Sequence, residues 1–148
     1  PASIEFELLN KHLETLISGE PVDRPIYSYV TCARAKETVK VEPKKVIIVE
    51  GILIMTNAKL RNKFNVKIFV DADTDDRLMR IIRRDLIERG RSVQNVLDHY
   101  ETFVKPMHLQ FIEPTKRYAD IIVPQGGTNL VAIDFLTSKI KMKLDEYR

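Results

Sequence analysis

The 148 residues contain one cysteine, no tryptophan and only five glycines. A single cysteine, Cys32, excludes a disulfide within the chain and favours a cytoplasmic protein over a disulfide-rich secreted one. No apolar run approaches the roughly 20 residues that cross a bilayer, and the first residues form no signal-like apolar block. We therefore expect a cytoplasmic protein without a membrane partner.

A second absence concerns nucleotide binding. No G-x-x-x-x-G-K-[ST] sequence, the loop that cradles nucleotide phosphates, occurs in the 148 residues. The chain also starts at a proline in what looks like a helix lead-in, which is consistent with an excised fragment or with removal of the initiator methionine.

The charge of the chain is nearly balanced, with 24 basic and 21 acidic residues and a net charge of +3. The arginines concentrate between residues 77 and 91, without the dense basic stripe and interleaved aromatics of a nucleic-acid binder. This distribution favours a small anionic ligand over nucleic acid. A hydrophobic content of 44% is enough for a real core, so we expect one domain over residues 1–148.

The first third of the chain predicts a helix and a hairpin. Leu9, Leu13 and Leu16 have helical spacing, with Ser3 as the cap and Gly19 as the stop. Alternating patterns at residues 26–30 and 38–42 then predict the two arms of a β-hairpin.

The remainder alternates between strands and helices. The apolar run at residues 46–50 predicts a strand buried on both faces, with Glu50 near-buried at its carboxyl end. Further strands are expected at residues 66–70 and 118–123. The helices are expected at residues 57–63, from Asp73 or Thr74 to Gly90, from Ser92 onward, from Pro106 to a break at Pro114, and at residues 130–144. This order predicts an α/β fold with a mostly parallel sheet flanked by helices, and ligands beyond the carboxyl ends of its strands.

The arginines are the main candidates for chemistry. Arg84, Arg89 and Arg91 surround Gly90, where three guanidiniums can close over a phosphate and exclude water. Ion pairs with nearby carboxylates such as Asp85 are the plainer explanation for some arginines of this helix, Arg77 and Arg80 above all.

Other polar residues have two interpretations each. Glu50 is either a Mg²⁺ ligand or a solvated glutamate, and Asp71 and Asp73 suit helix capping better than a metal. Tyr27 and Tyr29 share one face of the first hairpin arm, where they either stack on a base or pack across the strands. The glycines of the loop 124–129 permit close approach to a ligand, or form an ordinary turn.

Several segments carry a resemblance to a known family. They are Y-S-Y-V with K-E-T, E-P through V-E-G-I-L, R-D with E-R-G-R-S, F-V-K-P, F-I-E-P-T-K and Y-A-D-I-I-V-P, within residues 27–124. The chain resembles the bacterial uridine kinase (uridine–cytidine kinase) family of P-loop kinases. The resemblance implies a P-loop NTPase-like sheet, a hairpin insertion at about residues 22–42 and an arginine-rich lid helix at about residues 77–92.

The resemblance also implies an activity and a set of site residues. The activity is phosphorylation of uridine or cytidine at the 5′-hydroxyl by ATP (or GTP) with Mg²⁺, in pyrimidine salvage, by a homo-oligomer that is usually a tetramer. The residues it implies are Arg84 and Arg89 for catalysis, Tyr27, Tyr29, Cys32, Arg91 and His99 for the nucleoside, Gly127 and Thr128 beside the ATP adenine, and Glu50 for magnesium.

This sequence departs from the family pattern at Ser28, Cys32, Ile81 and His99, which affects the expected base specificity. The family's P-loop, its general-base aspartate and its ribose-binding aspartate match no residue of the 148, so we expect this polypeptide alone to be inactive. A kinase for another nucleoside or small metabolite, phosphoribulokinase-like or pantothenate-kinase-like, stays open. So does a non-catalytic nucleotide-binding or oligomerisation module.

Overall fold

The structure, a computed structural model, describes residues 4–28, residue 31 and residues 33–146. The chain divides into two compact units, residues 1–50 together with 140–148, and residues 51–139. The first unit holds a helix and a β-hairpin, and the second holds a parallel pair of strands with several helices. The single domain over residues 1–148 stays a prediction.

The first unit begins with helix α1, Phe6–Ile17. Its buried side chains include Leu13 and Leu16, which lie on one face because they are three residues apart. The predicted stop is confirmed, since Gly19 takes a φ of +93° directly after the helix. The predicted cap Ser3 lies outside the described residues.

A β-hairpin follows, in which β1, Val22–Ser28, pairs antiparallel with β2, Ala33–Val41. Both arms are longer than the alternating pattern predicted. The register shifts between Pro25 and Tyr27. Proline has no N–H to donate to the strand ladder, and a bulge at this point accommodates it.

Residues 46–50 do not form the predicted strand. They lie outside regular secondary structure, and Ile48 is 76% exposed. A strand needs a neighbour for its backbone N–H and C=O groups, and among the described residues no strand pairs with this segment. The prediction of a near-buried Glu50 at a strand end is therefore wrong, because Glu50 is exposed in an irregular segment.

The second unit opens with one 3₁₀ turn, Ile54–Thr56. The elements that follow in chain order are α2 (Ala58–Arg61), β3 (Ile68–Val70), α3 (Thr74–Arg89), α4 (Val93–His99), α5 (Lys105–Met107), β4 (Ile121–Val123) and α6 (Leu130–Asp145).

Strands β3 and β4 are parallel, with Ile68 opposite Ile121 and Val70 opposite Val123. Helices connect them along the chain, which confirms the α/β class and the parallel pairing. Both strands end where the sequence predicts but begin later. Before the strands start, the Asp120 carboxylate accepts a hydrogen bond from the backbone N–H of Lys67 at 2.7 Å, so a side chain replaces part of the ladder.

The helical segment after α3 differs from the prediction at its first proline. Ser92 caps α4 as expected and accepts a hydrogen bond from the N–H of Asn95 at 3.2 Å. Pro106 lies in α5 but does not begin a separate helix, because α4, α5 and the wide π-type segments at residues 100–104 and 108–112 form one continuous helical run. Such turns change which hydrogen bonds the helix makes, and Pro106, which has no N–H, lies between them.

The core of the second unit forms around short elements. Leu60 of α2 has no exposed surface, and Val96 of α4 is 1% exposed. Asn57 caps α2 by accepting a hydrogen bond from the N–H of Leu60 at 2.8 Å. The guanidinium of Arg61 lies 3.7 Å from the centre of the Tyr118 ring, a cation–π contact. A tertiary setting of this kind is what stabilises a helix of only four residues.

Helix α6 has no buried residue along its 16 positions. Phe135 is 65% exposed and Val131 is 82% exposed. In the part of the chain that the structure describes, none of the helices combines the length and the hydropathy that crossing a membrane requires.

Candidate active site

The carboxyl ends of β3 and β4 are tied together by backbone hydrogen bonds. The N–H of Asp71 donates to the carbonyl of Val123 at 2.8 Å, and the N–H of Gly126 donates to the carbonyl of Asp71 at 2.7 Å. The loop after β4 is therefore fixed against the residue that follows β3. This is the edge of a parallel sheet where ligands are expected.

Asp71 has a partner that the sequence analysis did not assign to a site. The Nζ atom of Lys116 lies 2.6 Å from Oδ2 of Asp71 and 3.7 Å from a carboxylate oxygen of Glu113. The hydrogen bond to Asp71 raises the pKa of Lys116 above its ordinary value. The Asp71 side chain therefore pairs with Lys116 and does not cap the helix as predicted. Asp73 occupies the N-cap position of α3, but its side chain makes no capping hydrogen bond.

Arg80 packs on the loop after β4. Gly126 is buried with a φ of +64°, and a Cβ placed on it would lie 3.1 Å from Nη2 of Arg80. A Cβ placed on the neighbouring Gly127 would have no atom of another residue within 4 Å, so the two glycines differ in role. Gly126 allows the guanidinium to approach the backbone, whereas Gly127 leaves open space beside the loop.

We expect Gly126→Ala to lower the free energy of unfolding by about 1–3 kcal/mol, because alanine is strained at positive φ. Arg80 must also shift, although the end of a long side chain moves easily. Gly127→Ala is the matched control and should change stability by less than about 0.5 kcal/mol. Urea denaturation of both variants measures the difference, and equal effects would contradict this account of the loop.

The most concentrated charge of the second unit lies at the end of α3, around Asp85. Oδ1 of Asp85 accepts hydrogen bonds from Arg84 at 2.8 Å and lies 3.2 Å from Nη1 of Arg89. Oδ2 accepts from Nη1 of Arg91 at 3.0 Å. The carboxylate is buried, with 3% of its side chain exposed, while the three arginine side chains are 44%, 30% and 42% exposed. We call these four residues the Asp85 cluster.

The electrostatics of the Asp85 cluster favour a bound anion. Burial alone would raise the pKa of the Asp85 carboxyl, but the hydrogen bond from Arg84 and the charges of all three arginines outweigh it and lower the pKa below its ordinary value. One carboxylate therefore stays ionised among three guanidiniums, which leaves a surplus of two positive charges. Since arginine donors match phosphate oxygens in geometry, the partly exposed guanidiniums can take a phosphate group.

The burial of Asp85 has a signal in the sequence. Asp85 follows Leu78 by seven residues and Ile82 by three, so it lies on the apolar face of α3. A carboxylate on that face needs a cationic partner, and Arg89 four residues later supplies one.

The Asp85 cluster stands away from the strand ends. Eleven positions separate Thr74, the first residue of α3, from Asp85, which corresponds to about 16 Å along the helix axis. Arg77 instead donates to the carbonyl of Ala72 near the start of the helix. The arginines of α3 therefore contact three different parts of the molecule. Arg77 contacts the residue Ala72 before the helix, Arg80 contacts the loop after β4, and Arg84 and Arg89 contact Asp85.

The predicted nucleoside-binding residues lie in both units or outside the described part. Tyr27 is 51% exposed and pairs with Arg34 across the hairpin. Tyr29 and Cys32 lie outside the described residues. His99 is exposed at the end of α4, with its ring centre 5.4 Å from that of Phe103.

The predicted cofactor residues are also accessible. Thr128 is exposed, and its hydroxyl donates to the carbonyl of Gln125 at 2.8 Å. Gln125 itself takes a φ of +63°, so the loop turns sharply beside Gly126. Both Gly127 and Thr128 therefore present an open face that a ligand can approach.

No group of three or more His, Cys, Asp or Glu side chains is placed to hold a metal ion within the described residues. Mg²⁺ bound with nucleotide phosphates needs only one or two carboxylates, because phosphates and waters supply the other ligands. Glu50, the residue predicted for magnesium, offers one exposed carboxylate.

Comparison with known proteins identifies relatives over nearly the whole chain. The model of the Phosphoribulokinase / Uridine kinase family matches residues 1–132. The uridine kinase of Klebsiella pneumoniae subsp. pneumoniae is 56% identical over 140 residues, which are 95% of this chain and 66% of that protein. The uridine kinase of Escherichia coli K12 gives the same figures.

A more distant relative, the uridine kinase of Anoxybacillus flavithermus, is 48% identical over 146 residues, 99% of this chain and 69% of that protein. The chain thus spans 66% of the length of the first two relatives.

Proposed function

Because the chain belongs to the Phosphoribulokinase / Uridine kinase family, we propose that the protein transfers the γ-phosphoryl group of ATP to the 5′-hydroxyl of uridine or cytidine. UMP and CMP are the products, as pyrimidine salvage requires. The observation that carries the proposal is the Asp85 cluster, where three arginines share one buried carboxylate and retain a surplus of positive charge.

In the proposed mechanism the chain's own residues act mainly by charge and position. Arg84 and Arg89 bind the phosphates and neutralise charge that develops on the transferring group. Residues 77–92 act as a lid that excludes water, which would otherwise compete with the nucleoside hydroxyl as acceptor. Glu50 would hold Mg²⁺ together with the nucleotide, and the ion would supply further charge neutralisation there. The phosphate donor is ATP or GTP.

The nucleoside contacts are part of the same proposal. Tyr27 and Tyr29 stack on the pyrimidine, Arg91 and His99 bind the nucleoside, and Cys32 stands at the base edge. The open face of Gly127 and Thr128 borders the adenine of the donor. A thiol is a poorer hydrogen-bond partner than an amide or imidazole, so base discrimination through Cys32 is expected to be loose.

Self-association is the proposed quaternary arrangement, in a cytoplasmic homo-oligomer that we expect to be a tetramer. The exposed apolar residues of α6, among them Leu130 and Val131 at 75% and 82% exposure, support a surface that is covered in an assembly.

The test is transfer from Mg·ATP to a panel of acceptors by the full natural polypeptide that carries these residues. We expect phosphorylation of uridine and cytidine and much slower phosphorylation of adenosine. Transfer to ribulose 5-phosphate but to neither pyrimidine nucleoside would contradict the proposed uridine kinase activity and indicate phosphoribulokinase activity instead. The 148-residue polypeptide alone is the control, and we expect no transfer because it contains no phosphate-cradling loop sequence.

A further inference from the structure

We propose that Asp85 is a positioning residue that holds Arg84, Arg89 and Arg91 together as a preformed phosphate receptor. The inference rests on the proposed function and adds to it a role for a residue that touches neither substrate. It starts from an asymmetry in the Asp85 cluster: the carboxylate is buried, while its three cationic partners each keep a large exposed fraction.

Both the side chain and the main chain of Asp85 contribute to the arrangement. The carboxylate contacts all three arginines through its two oxygens. Its backbone carbonyl accepts hydrogen bonds from the N–H groups of Gly90 and Arg91. Gly90 takes a left-handed conformation, with a φ of +60°, which turns the chain back so that Arg91 reaches the same carboxylate as the two helical arginines.

Electrostatics explain why one carboxylate serves three arginines. Three guanidiniums that contact the same carboxylate repel one another. The negative charge between them keeps them at this spacing. A buried carboxylate in turn needs charged partners to compensate for its lost hydration. The four residues of the cluster together carry a net charge of +2, and the partly exposed arginine side chains are accessible to an anion.

An alternative is that Asp85 only stabilises the end of α3. A purely structural ion pair would affect unfolding and leave the rate of transfer in the folded enzyme unchanged. A positioning role affects the rate more than ground-state binding, because oriented donors matter most where charge develops in the transition state.

The test is Asp85→Asn in the full natural polypeptide, with Glu88→Gln as the control, since Glu88 is exposed on the same helix. Asparagine keeps the shape of the aspartate side chain, but it replaces one hydrogen-bond-accepting oxygen with an NH₂ group, which cannot accept a hydrogen bond from an arginine. We expect kcat to fall about 100-fold while KM for ATP changes less than about threefold. The control should stay within about twofold in both constants.

A second readout does not depend on activity. The Nε–H of Arg84 donates to Asp85, so its NMR signal should exchange slowly with water in the wild type and in Glu88→Gln, and rapidly in Asp85→Asn. If the wild type phosphorylates no acceptor, the proposed function fails, and this signal still tests whether Asp85 orients Arg84.

Either of two results would overturn the inference: a folded Asp85→Asn variant with kcat within threefold of the wild type, or an Arg84 signal that is unchanged in it. If Asp85→Asn fails to fold, Asp85→Glu replaces it, because it keeps the charge and displaces the carboxylate by one methylene. We then expect kcat about tenfold lower at an unchanged KM for ATP, and a kcat equal to that of the wild type would count against positioning.

Discussion

We expect Arg89→Gln to lower kcat for the proposed phosphoryl transfer to uridine by about 10²-fold to 10³-fold in the full natural polypeptide. Nη1 of Arg89 lies 3.2 Å from Oδ1 of Asp85, and the Arg89 side chain is 30% exposed. In the proposed mechanism this guanidinium binds the phosphates. Glutamine removes the positive charge and the forked donor geometry that match a phosphate. Steady-state kinetics with Mg·ATP and uridine measure kcat and KM for both substrates.

Arg83→Gln is the matched control for this prediction. Arg83 lies on the same helix, is exposed, and loses the same charge on substitution. We expect its kcat to stay within about threefold of the wild type, because surface charge acts weakly at a distance in salt. Equal losses of kcat in the two variants would mean that the effect comes from net charge and not from the position of Arg89. An Arg89→Gln variant with the kcat of the wild type would mean that Arg89 has no part in the mechanism.

We expect Leu60→Ala to lower the free energy of unfolding by about 2–5 kcal/mol. Leu60 has no exposed surface, and it lies in a four-residue helix that is too short to be stable without its tertiary contacts. Removing the side chain leaves a cavity beneath α2 and weakens the packing that holds this helix in place. Urea denaturation followed by circular dichroism measures the change.

Ile87→Ala provides the comparison, since it removes a side chain that is 83% exposed. A change within about 0.5 kcal/mol is expected for that variant. A loss below about 1 kcal/mol for Leu60→Ala would mean that the second unit does not depend on this buried contact.

Local signals determined much of the secondary structure. Ser92 and Asn57 cap helices because each side chain accepts a hydrogen bond from the backbone N–H group three residues later in sequence. Gly19 and Gly90 end helices because glycine takes positive φ without a steric penalty. These interactions lie within one turn of chain, so the sequence alone specifies them.

Predictions that depended on a distant partner were less secure. The apolar run at residues 46–50 resembles a buried strand, yet a strand also requires a neighbour, and none pairs with it among the described residues. Pro106 predicted a new helix start, whereas the wide turns on either side of it keep the chain helical. In both cases the pattern was present and the hydrogen-bond partner decided the outcome.

For the candidate site, the sequence determined which residues carry charge and that the arginines concentrate around Gly90. Only the tertiary structure decided that Asp85 is buried and shared by three arginines, that Lys116 pairs with Asp71 across 45 positions of chain, and that Arg80 lies on Gly126. The physical reason is that an ion pair of this kind depends on desolvation and on angstrom-scale distance between side chains. Composition and spacing supply the charges, and the fold alone sets how much water remains between them.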